Sequence, residues 1–208
     1  RVPSLNPLFT PALTDMDNTI NILKVKEIKS THAYVLEDVE GEDILVVAER
    51  QTQGVTSKPD QAWHSELGGL FISLRVTNRG LMKARKTVVK QLGTELSELF
   101  STMFDMDIYY QSPNDLYVKD KKIGGILVER NNLTTIYSFG LNINQRVFPD
   151  ELKNTATSVI LETSKENDME SVLDSVSYYF KSKLKYYQEK QPSYIKPLLT
   201  RAYKRRKK

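Results

Sequence analysis

The 208-residue chain has no cysteine and only two histidines, and these absences exclude several kinds of site. Without cysteine the chain has no disulfide, no thiolate nucleophile and no cysteine-ligated zinc. His32 and His64 are too few and too far apart in sequence for a histidine-based metal site, so we predict no structural metal. The composition is compatible with a reducing compartment, and we expect a cytoplasmic protein.

Long apolar runs and a strong charge imbalance are missing too. No uncharged apolar run approaches the roughly 18 residues that a transmembrane helix needs, and the first residues lack a signal-peptide core. We therefore expect a soluble protein with no membrane partner. The net charge of +4 is modest, and a basic run at residues 204–208 contributes much of it. Because no recognition helix, aromatic platform or basic face accompanies that run, nucleic-acid binding ranks last among the functions considered.

The length predicts one large domain with its own core. Residues 1–19 hold three prolines without clear periodicity and are expected to form an extended arm, too short for a DNA-binding domain. Residues 20–203 form the predicted domain, and residues 204–208 form a basic tail that is either solvated or bound to an acidic partner.

Apolar periodicity predicts alternating strands and helices along the domain. Strands are expected near residues 20–25, 43–48, 108–110 and 134–144, and Ser30 and Thr31 have the chemistry of a helix start. Helices are expected over residues 81–103, 166–188 and 195–203. The predicted fold class is α/β, specifically α+β, with a mixed sheet of about six or seven strands, helices mainly on one face and the ligand on the other.

Charged residues and paired glycines lie between two strand-like runs in the middle of the chain. Residues 116–118 and 123–128 are rich in β-branched and apolar side chains, and residues 119–121 form a polar break of hairpin length. The antiparallel return of a short hairpin is expected to bring Asn114, Asp115 and Lys122 together. If either half of this segment occurred alone, the alternative interpretation would be a surface hairpin whose charged side chains are only solvated.

Two glycines in the second strand of this hairpin indicate a close contact. Gly124 and Gly125 each cost roughly 0.5–1 kcal/mol relative to alanine inside a strand. We therefore expect another group to approach the backbone there, and a ligand is one such group.

Residues 113–129, PNDLYVKDKKIGGILVE, resemble the central motif of the biotin protein ligases, K-W-P-N-D followed by K-x-x-G-I-L-V-E. The related lipoate ligases share the fold but usually carry a tail of the K-I-S-G-S-A kind. The GGILVE tail here therefore favours the biotin branch.

Further segments resemble the same family, and together they cover about residues 20–203. Ser30 and Thr31 correspond to its D-S-T-N motif, and residues 48–54 match A-E-x-Q-x-x-G. Residues 63–73 match W-x-S-x-x-G-G-L-x-x-S, and residues 134–144 are similar to I-G-x-G-I-N-V-N. Residues 148–152 and 156–159 resemble the P-x-E-L and A-T-S-L segments, where a loop packs over adenine.

The chain departs from the family pattern at several places. Gln111 and Ser112 stand where the family has Lys and Trp, and His32 stands where it has Asn. The family's arginine-rich R-G-R-x-G-R loop is replaced by residues 55–63, which contain Lys58 and no arginine. Lysine supplies a point charge, whereas arginine would bind carboxylate and phosphate bidentately. Residues 138 and 139, Ser and Phe, replace smaller residues, and the small β domain that many members add at the C-terminus is not expected here.

The resemblance implies that ATP and Mg²⁺ activate biotin to biotinyl-5'-AMP and that biotin passes to a lysine of a biotin carrier domain of a carboxylase. It makes Lys122 the cation that stabilises developing charge and Asp115 the group that orients or deprotonates the incoming amine. The biotin-binding residues that it implies are Ser30, Thr31, Gln51, Gly54, Trp63, Gly69, Lys122, Gly125 and Gly140. The implied nucleotide-binding residues are Lys58, Asn114, Asn142 and Ala156.

Two other functions stay open at this point. The missing arginines allow a catalytically impaired, ligase-like binding protein, and a loosened loop allows a ligase or transferase for lipoate or octanoate. Trp63, the only tryptophan, is either a core residue or a wall of the biotin pocket. Members of the family are often dimers, so a homodimer is a possible state.

Overall fold

A computed structural model describes residues 20–37, 43–58, 61–77, 85–131 and 134–189. The predicted arm, the predicted short helix over 195–203 and the basic tail lie outside the described residues. Within the described ranges the helices are α1 (Thr31–Glu37), α2 (Arg85–Phe104), α3 (Val159–Thr163) and α4 (Met169–Glu189). The strands are β1 (Asn21–Ile28), β2 (Ile44–Gln51), β3 (Gly54–Val55), β4 (Ala62–Trp63), β5 (Gly69–Thr77), β6 (Ile108–Gln111), β7 (Asp115–Val118), β8 (Lys121–Arg130) and β9 (Thr134–Asn142).

Seven of these strands form one mixed sheet in the order β1-β2-β5-β9-β8-β7-β6. β1 and β2 are parallel and are connected through α1, and the other neighbours are antiparallel. β3 and β4 pair separately as a two-stranded ribbon. β5 and β9 lie in the middle of this sheet, and most of their residues are buried.

The core lies between one face of the sheet and the helices α2 and α4. Apolar residues of β5, β8 and β9 pack there against Leu96 and Phe100 of α2 and Val176 and Phe180 of α4. α1 covers part of the opposite face, where Val35 packs on Val46 and Ile136. The prediction of a mixed sheet with helices mainly on one face is confirmed.

The predicted elements that fall on described residues are present with shifted bounds. The helix predicted from residue 81 is described from Arg85 onward, and residues 81–84 lie outside the described part. The middle hairpin turns at residues 119–120, so β8 begins at Lys121, one residue before the predicted start at Lys122. Lys119 takes a φ of 53° in this turn, which makes the connection tighter than the sequence suggested.

Candidate active site

A cleft opens beside the N-terminus of α1, over the middle of β8 and β9. Its wall is built by the N-terminus of α1, the β3–β4 ribbon with its connecting loop, and the β7–β8 hairpin. Ten of the residues implied by the family resemblance line this cleft: Ser30, Thr31, Gln51, Lys58, Trp63, Asn114, Asp115, Lys122, Gly125 and Gly140.

Lys122 and Asp115 form an ion pair in this cleft. Lys122 Nζ lies 2.6 Å from Asp115 Oδ1, and the two side chains are 32% and 23% exposed. The pair follows from the hairpin register, because Asp115 is opposite Gly125 while a bulge between Leu116 and Tyr117 brings Lys122 opposite Tyr117. The predicted convergence of an acid and an ammonium is therefore present. Lys122 Nζ also lies 5.0 Å from the centre of the Trp63 ring, at cation–π distance.

The segment before α3 fixes the backbone of Lys122. Lys122 N donates to Thr155 O at 2.8 Å, Thr157 N donates to Lys122 O at 2.9 Å, and the two segments form a parallel bridge at Ala156. Both main-chain groups of the lysine are thereby held from a segment more than thirty positions later in the chain. This support leaves the side chain as the movable part of the residue.

Asn114 connects the hairpin to the loop between β3 and β4. Its Nδ2 donates to Ile126 O at 3.0 Å and to Ser57 Oγ at 3.3 Å, and Ile126 N donates to Asn114 O at 2.8 Å. Lys58 follows Ser57 in a short turn, where its backbone N donates to Thr56 Oγ1 at 3.0 Å. The loop thus brings the positive charge of Lys58 to the cleft, where Lys122 supplies the other lysine charge.

Trp63 covers the glycines of β8 and β9. A Cβ at Gly125 would lie 2.9 Å from Trp63 Cζ3, and a Cβ at Gly140 would lie 2.6 Å from Trp63 Nε1. The predicted close approach to the glycine backbone is therefore observed, and the group that the structure places there is an indole ring. Trp63 Nε1 is buried and has no hydrogen-bond partner among the described residues, which leaves an N–H donor at the cleft.

Thr31 and Gln51 both line the cleft and are hydrogen-bonded to each other. Gln51 Oε1 accepts from Thr31 N at 2.7 Å and from Thr31 Oγ1 at 3.1 Å, and Gln51 Nε2 donates to Ser65 Oγ at 2.9 Å. The backbone N–H fixes the amide orientation, because only the oxygen of Gln51 can accept it. Ser30 Oγ accepts from Ala33 N at 3.3 Å and so caps α1, as predicted.

His32 and Ser138 are cleft residues that sequence reasoning noted only as departures from the family pattern. Both line the cleft, and His32 Nδ1 lies 2.8 Å from Ser138 Oγ. His32 Nε2 lies 2.9 Å from Glu129 Oε2, although 97 positions separate the two residues. No sequence signal predicted these pairs, because they depend on how α1 sits on β8 and β9.

The other four implied residues do not line the cleft. Gly54 and Gly69 are tightly packed, since an added Cβ would meet Ser65 Oγ at 2.6 Å in the first case and the Phe71 ring in the second. Asn142 Nδ2 donates to Thr157 O at 3.0 Å, and Ala156 takes part in the backbone bridge to Lys122. The structure gives these four a supporting position, and their contacts with a ligand stay predictions.

The fold and the cleft define a class of proteins, the catalytic domains of biotin protein ligases. The crystal structure of the biotin protein ligase from Aquifex aeolicus in complex with biotin and ATP has a TM-score of 0.71 to this structure. It is 30% identical in sequence, over 85% of this chain and 75% of that chain. The ligase from Leishmania major in complex with biotinyl-5-AMP, at 22% identity over 77% of this chain and 73% of that chain, shares the fold with a TM-score of 0.57.

Residues 25–145 match the model of the biotin/lipoate A/B protein ligase family, and the chain belongs to that family. The bifunctional ligase/repressor BirA of Bacillus spizizenii is 32% identical over 162 residues, which are 70% of this chain and 47% of BirA. The chain thus spans about half the length of the curated relatives that it matches. None of the described helices is both long and apolar enough to cross a membrane.

Proposed function

We propose that residues 20–203 are the catalytic domain of an ATP-dependent biotin protein ligase. The observation that carries the proposal is the Lys122–Asp115 pair at 2.6 Å, in a cleft that also holds Trp63, Thr31 and Gln51. These are positions at which the chain resembles the biotin ligases, and the hairpin and the cleft bring them together in space. The relatives' titles name biotin, ATP and biotinyl-5-AMP as ligands, which supports the same substrates here.

In the first step, a carboxylate oxygen of biotin attacks the α-phosphorus of ATP, and the bond to pyrophosphate breaks. Both reacting groups are anionic, so a cation between them lowers the barrier. Lys122 is suited to this task because its ammonium is partly buried and its backbone is held on both sides. Asp115 orients that ammonium, and Lys58 adds a second positive charge from the loop.

In the second step, the ε-amine of a lysine on a biotin carrier domain of a carboxylase attacks the acyl carbon, and AMP leaves. The attacking amine must be neutral, so it needs a proton acceptor close to the acyl group. Asp115 is the carboxylate that lines the cleft, and it is 23% exposed, within reach of an entering side chain. Asp115 is therefore proposed to orient or deprotonate the amine.

Magnesium is proposed to enter with the nucleotide. Among the described residues no group of three histidine or acidic side chains is placed to hold a metal ion, whereas ATP phosphates bind Mg²⁺ directly. The ion would offset the charge of the departing pyrophosphate. A homodimer and a cytoplasmic location belong to the same proposal, and sedimentation and cell fractionation check them.

The decisive experiment is pyrophosphate release from ATP and magnesium with biotin, run beside lipoate and octanoate. Release with biotin and biotinylation of a carrier domain are expected. Lys122→Ala should lower the rate by roughly 100-fold or more, because it removes the cation at the reacting charges. Lys121→Ala is the matched control, since this neighbouring lysine does not line the cleft, and it should keep the parental rate.

The same experiment separates the other functions. Release with lipoate or octanoate and not with biotin would change the acyl substrate. Biotin binding without pyrophosphate release would identify a binding protein that lacks the catalytic loop of its relatives. A Lys122→Ala variant with normal turnover would refute the assigned role of this residue.

A further inference from the structure

Two stacked tyrosines adjoin Asp115 on the outer strands of the sheet, just outside the lining of the cleft. Leu116 and Val118 of β7 are buried in the core. Because side chains alternate along a strand, Asp115 and Tyr117 lie together on the opposite face. Tyr109 of β6 pairs in register with Tyr117, and the two rings stack with their centroids 6.1 Å apart. An aromatic surface therefore lies next to the carboxylate of the proposed reaction.

This surface leads from the reacting groups to the edge of the sheet. Tyr117 is opposite Lys122 in the β7–β8 register, and β6, which carries Tyr109, is the last strand in the sheet order. Lys122, Tyr117 and Tyr109 therefore form a row across three neighbouring strands. Tyr109 is 38% exposed and Tyr117 is half-buried, so the row is accessible from the β6 edge.

Hydrogen bonds fix the outer end of this row. The hydroxyl of Tyr109 donates to the backbone oxygen of Lys119 in the β7–β8 turn. Lys119 Nζ donates in turn to Glu162 at 2.9 Å, which connects the turn to α3. A tyrosine ring held in this way offers a large contact area and loses little conformational entropy when a ligand packs on it.

The hydroxyl of Tyr117 stays protonated beside the ion pair. Burial raises the pKa of Tyr117, and the negative charge of Asp115 raises it further. Tyr117 therefore does not accept a proton from an incoming amine, and that task remains with Asp115. A carboxylate has two acceptor oxygens, so Asp115 can hold Lys122 at Oδ1 and receive a second ammonium at Oδ2.

The acceptor of the second proposed step has the chemistry that this surface suits. A lysine side chain consists of four methylene groups and an ammonium, and an aromatic face both buries methylenes and attracts cations. With the methylenes along the row, the nitrogen reaches Asp115, which takes its proton. The nitrogen then bonds to the acyl carbon, and the bond from that carbon to the phosphate oxygen of AMP breaks.

We propose that Tyr117 and Tyr109 form the binding surface for the acceptor lysine, whose side chain reaches Asp115 from the β6 edge of the sheet. This role rests on the proposed function and names the residues that the second substrate contacts. Because the two tyrosines lie outside the lining of the cleft, they should affect acyl transfer more than pyrophosphate release.

Single-turnover transfer from preformed biotinyl-5'-AMP to a carrier domain measures the second step alone. Tyr117→Ala should raise the carrier concentration for half-maximal rate roughly fivefold, because the arm and its ammonium lose the ring. Tyr117→Phe retains the ring and should restore the parental value. Tyr109→Ala should act in the same direction as Tyr117→Ala. Its matched control is Tyr178→Ala on α4, a tyrosine of the same 38% exposure, which should keep the parental rate.

A pair of simple amines tests the contact in the parental protein. Methylamine and pentylamine are similarly basic, but only pentylamine has a chain long enough to lie along the rings. After subtraction of the uncatalysed reaction, we expect transfer to pentylamine to be roughly tenfold faster, since its additional methylenes are partly buried. Tyr117→Ala should remove most of this preference. Equal rates for the two amines with the parental protein would overturn the proposal, even if the alanine variant failed to fold.

The remaining outcomes separate this surface from the proposed function. Equal losses of pyrophosphate release and of transfer in Tyr117→Ala would mean that the ring only supports the hairpin, and would overturn the acceptor surface. Parental transfer in both alanine variants, with normal pyrophosphate release, would overturn it as well and leave the proposed function intact. If the parental protein neither releases pyrophosphate with biotin nor transfers biotin from the adenylate, the proposed function fails, and the acceptor surface fails with it.

Discussion

At the scale of single residues, the cleft depends on two glycines, one in β8 and one in β9. Gly125 and Gly140 have no side chain, and the ring of Trp63 occupies the space where their Cβ atoms would lie. The indole in turn lies under the ammonium of Lys122, which connects the apolar wall to the charged pair. A side chain added at either glycine is therefore expected to displace the indole and, through it, the ammonium of Lys122.

Gly140→Ala tests this arrangement. The new Cβ would lie 2.6 Å from Trp63 Nε1, so the ring must move. We expect biotin affinity to fall roughly tenfold, as a misfit of 1–3 kcal/mol in a packed site implies, and the emission of the only tryptophan to shift. Fluorescence spectra and titration with biotin measure both effects.

A double-mutant cycle supplies the control for Gly140→Ala. Trp63→Phe removes the nearest ring atom, so the cost of alanine at position 140 should be smaller in that background. Equal costs in both backgrounds would show that the loss comes from the strand and not from the indole.

At the scale of elements, α3 is tied to the β7–β8 turn. Glu162 of α3 accepts from Lys119 Nζ at 2.9 Å and from Thr157 Oγ1 at 2.7 Å. The hydrogen bond from Lys119 is the main cause that holds the pKa of Glu162 below its ordinary value, against the opposing effect of burial. This contact joins the turn to the segment that holds Lys122 in place.

Glu162→Gln is expected to lower stability at neutral pH only. A carboxyl whose pKa is lower in the folded state than in the unfolded state stabilises the fold at pH values above the unfolded-state pKa of about 4.3. That contribution is lost as the pH falls through the folded-state pKa. We expect a Tm about 2 °C lower at pH 7 and a difference that disappears in acid. Thermal unfolding from pH 7 down to pH 3 measures it, and a constant difference across that range would contradict the assignment.

At the scale of the whole molecule, one apolar core joins most of the sheet to α2 and α4. Phe100 lies at its centre with no exposed surface, and its ring packs against those of Phe104 and Phe139. Because β2, β5, β8, β9 and both long helices share this core, we expect them to unfold together in a single cooperative transition.

Phe100→Ala should cost about 3–5 kcal/mol of unfolding free energy, because it leaves a cavity in that core. Glu98→Ala, on the exposed side of the same helix, should stay within about 0.5 kcal/mol. Urea unfolding followed by circular dichroism and by tryptophan fluorescence measures both variants. Two probes with different midpoints would refute the single transition.

The sequence predicted the fold class and the hairpin because both depend on local information. The apolar periodicity of a strand or helix is visible within a short stretch of sequence. The ion pair of Asp115 and Lys122 follows from a short antiparallel hairpin. The resemblance of residues 113–129 to the ligases, which is also local, indicated the function proposed here. The bounds of β8 were less accurate, since the tight turn at Lys119 has no glycine or asparagine to mark it.

The amino-acid sequence by itself determined the family, most of the long strands and helices, and the convergence of Asp115 with Lys122. Only the tertiary structure decided that Trp63 fills the space over the glycines and that His32 reaches Ser138 and Glu129. Those contacts join residues 106 and 97 positions apart, and they exist because the strand order sets β8 beside β9 under α1. Contacts of such separation depend on how whole elements pack, which local periodicity does not encode.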